Sequence, residues 1–118
     1  MSRILLLFIV LTFLIIAAEP DITRVEVSIS GTLSASASRL YGPYSSVTAV
    51  TISLDFKGGE LCAGYVYADD FKGKYSCSTS GRLYVSYSVD WTRDIYILVY
   101  NPSSSSVSYS GTATLYIW

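Results

Sequence analysis

From Thr23 onward the chain alternates with a period of two, and this limits its folding choices more than any other feature. In TRVEVSIS, Val25, Val27 and Ile29 take one parity and Arg24, Glu26 and Ser28 the other. A strand sends successive side chains to opposite faces, whereas a helix repeats every 3.6 residues or so, so the segment reads as a half-buried strand. SVTAVTISLDF repeats the pattern, with Val50, Ile52, Leu54 and Phe56 inward and Thr51, Ser53 and Asp55 outward, until Lys57-Gly58-Gly59 ends it by turn chemistry. LCAGYVYA and KYSCSTS follow, and then RLYVSYSVDW, which sets Leu83, Val85, Tyr87, Val89 and Trp91 on a single side. IYILVY is apolar on both faces, which predicts a strand in the middle of a sheet with cover above and below. The last stretch alternates Val107, Tyr109, Ala113, Leu115 and Ile117 against Ser108, Ser110, Thr112 and Thr114. No window after Pro20 offers a helix.

These segments, punctuated by Gly, Pro and Ser, predict an all-β chain: a single small antiparallel β-sandwich of about seven strands. The stretch GTLSASASRLYGPYSS, residues 31–46, reads as a long loop turning at Gly42-Pro43. The chain stops on LYIW. A strand of that kind left unpaired would be a sticky edge, so it belongs inside a sheet or against a neighbouring chain. A simple hairpin over Asn101 to Ser106 would set Leu98 opposite Tyr109 and leave Ile95, Ile97 and Val99 on the serine side. A connection that crosses between the two sheets avoids this.

The first 18 residues are of another kind. Arg3 precedes an apolar run from Ile4 to Ala18, interrupted only by Thr12 and followed by Glu19-Pro20. A membrane-spanning helix needs about 20 such residues, so residues 1–18 read as a secretory leader cut after Ala17-Ala18. Ile15 and Ile16 keep a retained membrane anchor as the rival reading. Glu19-Pro20 stops the helix where a pilin stem would continue. The domain division is therefore 1–18, signal peptide or membrane anchor, and 19–118, β-sandwich. Any membrane association would run through an uncleaved leader.

Loss of the leader removes Arg3 and changes the formal charge from -1 to -2. No basic stripe follows any strand, which argues against nucleic acid as a partner. Histidine and glutamine are absent, and Asn101 is the only asparagine. Few thermolabile amides suit a hot habitat, and hydroxyls in place of charges suit an acidic one, so the expectation is an extracellular or cell-surface protein of a thermophile. Pro102 after Asn101 rules out an N-glycosylation acceptor there.

Cys62 and Cys77 flank a segment centred on Asp69-Asp70. If those aspartates are the centre of a hairpin, the two cysteines fall directly opposite each other, close enough for a disulfide in an oxidising compartment. Two thiols without histidine cannot supply the four ligands of a structural zinc. Redox-active pairs sit closer in sequence, as in CxxC. Without histidine, the usual nucleophile and base pairs are also missing. Asp69 and Asp70 are adjacent, so on a strand they point to opposite faces and make a poor acid/base pair. Asp55, Glu60, Asp69 and Asp70 are candidate calcium ligands if the loops meet at one end, but no calcium-loop spacing is present. The alternative is that they keep turns soluble, paired with Lys72 and Lys74. No cofactor is implied. Of the eleven tyrosines, Tyr84 and Tyr116 fall on hydroxyl-bearing faces, with Trp118 in phase with Tyr116. Such rings can stack on sugars or receive a partner, or can simply pack on a pleated surface.

DIYILVYNPSSSSVSYSGTATLYI resembles the closing strands of pre-peptidase C-terminal domains and of the Golgi-dynamics family, β-sandwich modules of exported proteins. Their penultimate strand, of the type Gly-Thr-Tyr-Tyr-Leu-Val-Val-Tyr-Asn, is matched by Tyr96, Leu98, Val99, Tyr100 and Asn101. Arg93-Asp94 replaces Gly-Thr, and Asp90-Trp91 has no counterpart. The resemblance covers residues 82–117. It implies an accessory module without catalytic residues and a structural role for Asn101.

Together these readings predict a non-enzymatic exported surface protein, structural or adhesive, whose partners are itself or other surface proteins. One version is a filament in which residues 19–30 insert into the next subunit by strand exchange. The alternative is a carbohydrate- or lipid-binding module that reads a polysaccharide or similar ligand with Tyr84, Tyr116 and Trp118.

Overall fold

The computed structural model describes residues 22–118, and the leader lies outside them. Eight strands follow one another: β1 (Thr23–Leu33), β2 (Ser38–Tyr44), β3 (Val47–Lys57), β4 (Leu61–Tyr67), β5 (Gly73–Ser78), β6 (Arg82–Ser88), β7 (Ile95–Tyr100) and β8 (Val107–Ile117). They form two four-stranded antiparallel sheets, sheet A in the order β1-β8-β3-β6 and sheet B in the order β2-β7-β4-β5. The all-β sandwich expected from the alternation is the fold observed.

Its core is the inward parity of each strand. Val50, Ile52 and Leu54 of β3, Leu83 and Val85 of β6, and Ala113 and Leu115 of β8 are buried against Ile95, Ile97 and Val99 of β7 and Leu61, Ala63 and Tyr65 of β4. Burying such side chains is worth about 1.5 to 3 kcal/mol each for the larger aliphatics, which is what pairs the two sheets. The closing LYIW is accounted for: β8 lies inside sheet A, between β1 and β3. β7 belongs to sheet B and β8 to sheet A, so the connection between them crosses the sandwich.

Four expectations need correction. The stretch read as a loop contains β2, whose register with β7 shifts between Tyr41 and Tyr44. The Gly42-Pro43 pair that suggested a turn is a bulge in an edge strand, the one place in a sheet that tolerates proline. β1 runs on to Leu33, but only its second half is covered. Ile29 and Leu33 are buried, whereas Val27 is half-buried and Val25 is 36% exposed. The strands of the opposing sheet explain this, with seven residues in β2 and six in β7 against eleven in β1. Trp91 continues the parity of β6 but lies beyond its end and is exposed. β7 is central in its sheet, yet only its Ile95, Ile97 and Val99 face is buried by the partner sheet.

Asn101 fixes the crossing. Its fully buried amide donates from Nδ2 to the carbonyls of Leu33 (3.1 Å), Ser34 (3.1 Å) and Ser105 (2.8 Å), and its Oδ1 accepts from the Ser103 N–H (2.8 Å). One side chain thus ties the β1–β2 link to the β7–β8 crossing. The serine run that follows docks on the β3–β4 turn. Ser103 Oγ accepts from the Glu60 N–H and donates to the Glu60 carbonyl, and Ser105 Oγ donates to the Gly58 carbonyl. Gly58 has φ 120°, and a Cβ there would run into the Ser106 carbonyl, so the turn requires glycine.

Candidate functional site

Cys62 and Cys77 are register partners across β4 and β5 and are joined by a disulfide. They stand on the outward face of sheet B, in one row with Tyr100, so the bond clasps two strands rather than two sheets. Cys62 is buried and Cys77 exposed.

The four acidic candidates do not converge. Among the described residues no three metal-ligating side chains cluster. Asp55 pairs with Arg82 (3.2 Å) on sheet A, and Glu60 lies at the β3–β4 turn with Ser103. Asp69 and Asp70 sit at the opposite end, on the β4–β5 turn. Their partner is Arg93 rather than Lys72 or Lys74. The guanidinium grips Asp69 with both Nε (2.9 Å) and a terminal nitrogen (2.5 Å), reaches Asp70 at 3.1 Å, and lies 3.7 Å over the Tyr67 ring. Arg93 holds the Asp69 carboxyl below the usual carboxylate range, and Thr92 does the same for Asp90. Two of the four candidate calcium ligands, Asp69 and Asp70, are thus paired with Arg93.

At the other end of the pH scale, burial pushes the phenols of Tyr65 and Tyr109 up to about 12, and Tyr109 also shares a 2.6 Å hydrogen bond with Tyr41. Asp69 and Asp90, depressed in the folded state, favour folding at neutral pH and lose that contribution as pH falls below their unfolded values near 4. Tyr65 and Tyr109, raised in the folded state, lose theirs as pH climbs past about 10. Thermal melts are expected to give a flat Tm between about pH 5 and 9, falling on both sides. In Arg93→Gln the acid-side fall should shrink, and an unaltered acid limb would contradict the assignment.

Tyr84 and Tyr116 project from the outward face of sheet A, whose other outward residues are mostly Ser and Thr. Tyr84 stands opposite Ser53 and Tyr116 opposite Ala49 and Arg24, on strands separated by β3 and four residues out of step. Trp118 lies past the end of β8, stacked on Trp91 with ring centres 6.1 Å apart. These three residues do not make one row. The larger aromatic surface is the outward face of sheet B. Its outward positions are Ser38 and Leu40 on β2, Tyr96, Leu98 and Tyr100 on β7, Cys62, Gly64 and Val66 on β4, and Gly73, Tyr75 and Cys77 on β5. None is charged. Phe71, from the β4–β5 turn, stacks on Tyr96 at 6.0 Å and 8°, and Tyr75 meets Tyr100 edge-on at 6.4 Å. Phe71 and Tyr75 stay more than half exposed. The signal was present in IYILVY, but its Tyr and Leu parity was assigned to a covering layer.

No family model and no curated protein matches the chain. Among solved structures, a chain from Bacillus endospore appendages, described as forming a novel family of disulfide-linked pili, aligns with a TM-score of 0.50 at 12% identity, over 85% of this chain and 93% of that one. The likeness is one of fold.

Proposed function

We propose that the chain is a non-enzymatic structural subunit of a surface assembly, a sandwich that self-associates into filaments outside the cytoplasm. The observation that carries this reading is the two-sheet fold, which is similar to that of the Bacillus pilus chain, together with a disulfide that needs an oxidising compartment. One difference follows from the sequence. The chain has two cysteines and they are bonded to each other, so no thiol is left to link subunits covalently. Its assemblies are held by strand edges and faces alone. Electron microscopy of the purified protein is expected to show fibres, and boiling in detergent without reductant is expected to release monomer with no covalent ladder. Dispersed monomer at every concentration would refute the assembly.

A second reading is favoured by the uncharged aromatic face of sheet B. A surface of Tyr75, Tyr96, Tyr100 and Phe71 without charge fits the faces of a neutral polysaccharide. Retention of a monomer on such a polysaccharide, lost in Phe71→Ala and Tyr75→Ala, would favour it over the filament.

A further inference from the structure

An unpaired sheet edge is a template for another strand unless something blunts it. Three of the four edges here are blunted. β2 is interrupted by Gly42-Pro43 and a register shift. β5 has six residues, contains Gly73 and Lys74, and follows Lys72. β6 is flanked by β5, where Ser78 Oγ donates to the Arg82 carbonyl (2.7 Å) and Ser76 Oγ lies 2.6 Å from the Tyr87 hydroxyl. β1 has no such device. Its eleven residues keep an unbroken register with β8, contain no proline or lysine, and pair with no described strand along the outer edge; its one glycine, Gly31, lies near the far end beside the Arg39 guanidinium. Val25, on the parity of the core, is left uncovered beside that edge.

The only charges on β1 are Arg24 and Glu26. Both lie on the outward face, with side chains 63% and 59% exposed, and they pair with each other along the strand at 3.0 Å, a pair that the second copy extends into a square of alternating charges. We propose that this edge binds a second copy of the same strand, antiparallel, about a two-fold axis through Val25. Arg24 then stands opposite Glu26 of the second copy and Glu26 opposite its Arg24. Val25 meets Val25, and Thr23 meets Val27, on the core side. Moving the axis by one residue destroys the match, because it sets Arg24 against Arg24 or Glu26 against Glu26, and like charges directly opposite are destabilising. An axis through Val27 leaves both charges opposite serine. Charge complementarity thus selects one register, and that register also covers the exposed valine. The two copies of sheet A become one continuous eight-stranded sheet. This interface rests on the reading of the chain as self-associating, and it supplies the two-fold unit from which a larger assembly would grow.

Charge reversal and sedimentation of the purified protein test it. Below the concentration at which fibres form, the wild type is expected to sediment as a dimer. Arg24→Glu and Glu26→Arg should each weaken the dimer about tenfold or more, because two attractive pairs become two like-charge pairs. The double reversal should restore it. Val25→Cys should give a disulfide-linked dimer on a non-reducing gel, since residue 25 faces itself. A monomeric wild type, or single variants indistinguishable from it, would overturn the interface. Cross-linking of Val25→Cys to a cysteine placed at Leu115 of another subunit would overturn it in favour of strand exchange. Fibres that persist in both single variants would remove this interface yet leave the filament reading standing. A charge-dependent dimer that never forms fibres would do the reverse.

Discussion

Asn101→Ala is expected to destabilise the folded protein by about 3 kcal/mol or more, measured by denaturant unfolding with circular dichroism as the probe. The side chain has no exposed surface and serves four backbone groups in two segments. Alanine leaves the Leu33, Ser34 and Ser105 carbonyls and the Ser103 N–H without their partner, and an unmet buried polar group costs about 1 to 3 kcal/mol. The estimate stays near the bottom of the summed range because only the Leu33 bond is fully buried and the others can recruit water. Asn101→Asp sharpens the test. It keeps the shape and the acceptor for Ser103 but turns an NH2 donor toward three carbonyls into an oxygen. Above the pKa of the new carboxyl it should therefore be worse than alanine. That pKa is raised in the folded state by burial and carbonyl contacts, so the variant should gain stability as pH falls and the group takes up a proton. A loss under 1 kcal/mol in Asn101→Ala would mean that the amide does not hold the crossing.

Removal of the disulfide should have an effect of similar size. The bond closes a loop with a sequence separation of 15, for which the chain-entropy argument gives about 3 kcal/mol. Small domains are stable by only about 5 to 15 kcal/mol in total, so the loss matters. Its character is local, however. The cysteines occupy the outward row of sheet B, and the packing of Ile95, Ile97 and Val99 against sheet A does not pass through them. Cys62→Ala/Cys77→Ala should therefore keep the strand spectrum of the wild type in buffer and lose its denaturant midpoint. A midpoint within error of the wild type would show that the hairpin is held by its strand pairing alone.

What the sequence made legible follows from which forces leave a period behind. The inward parities of β3, β6 and β8 were readable because each strand has one wet and one dry face, and the Cys62–Cys77 register was readable because a tight hairpin fixes which residues oppose each other. The crossing between β7 and β8 could be inferred because the alternative put three aliphatics among serines. β2 was not readable. Ser38, Arg39, Leu40 and Gly42 carry little alternation, and proline in a strand is allowed only where the edge is already broken. The aromatic face of sheet B was misassigned for a different reason. Tyr96, Leu98 and Tyr100 look as if they demand a covering layer, whereas Phe71 and Tyr75 cover them from the same sheet. The grip of Arg93 on Asp69 and Asp70 joins two turns that are distant in sequence, and no local pattern announces such a pair.

Among the described strands β1 has a single neighbour, β8, and the first residue of β1 pairs with the penultimate residue of the chain. As the chain is made, the leading strand of sheet A must wait for the trailing one, and until β8 is out its half-apolar ribbon lacks the neighbour it finally zips onto. The waiting period is when a passing sister chain, or a holding chaperone, meets the same unpaired backbone that the finished molecule keeps at its rim.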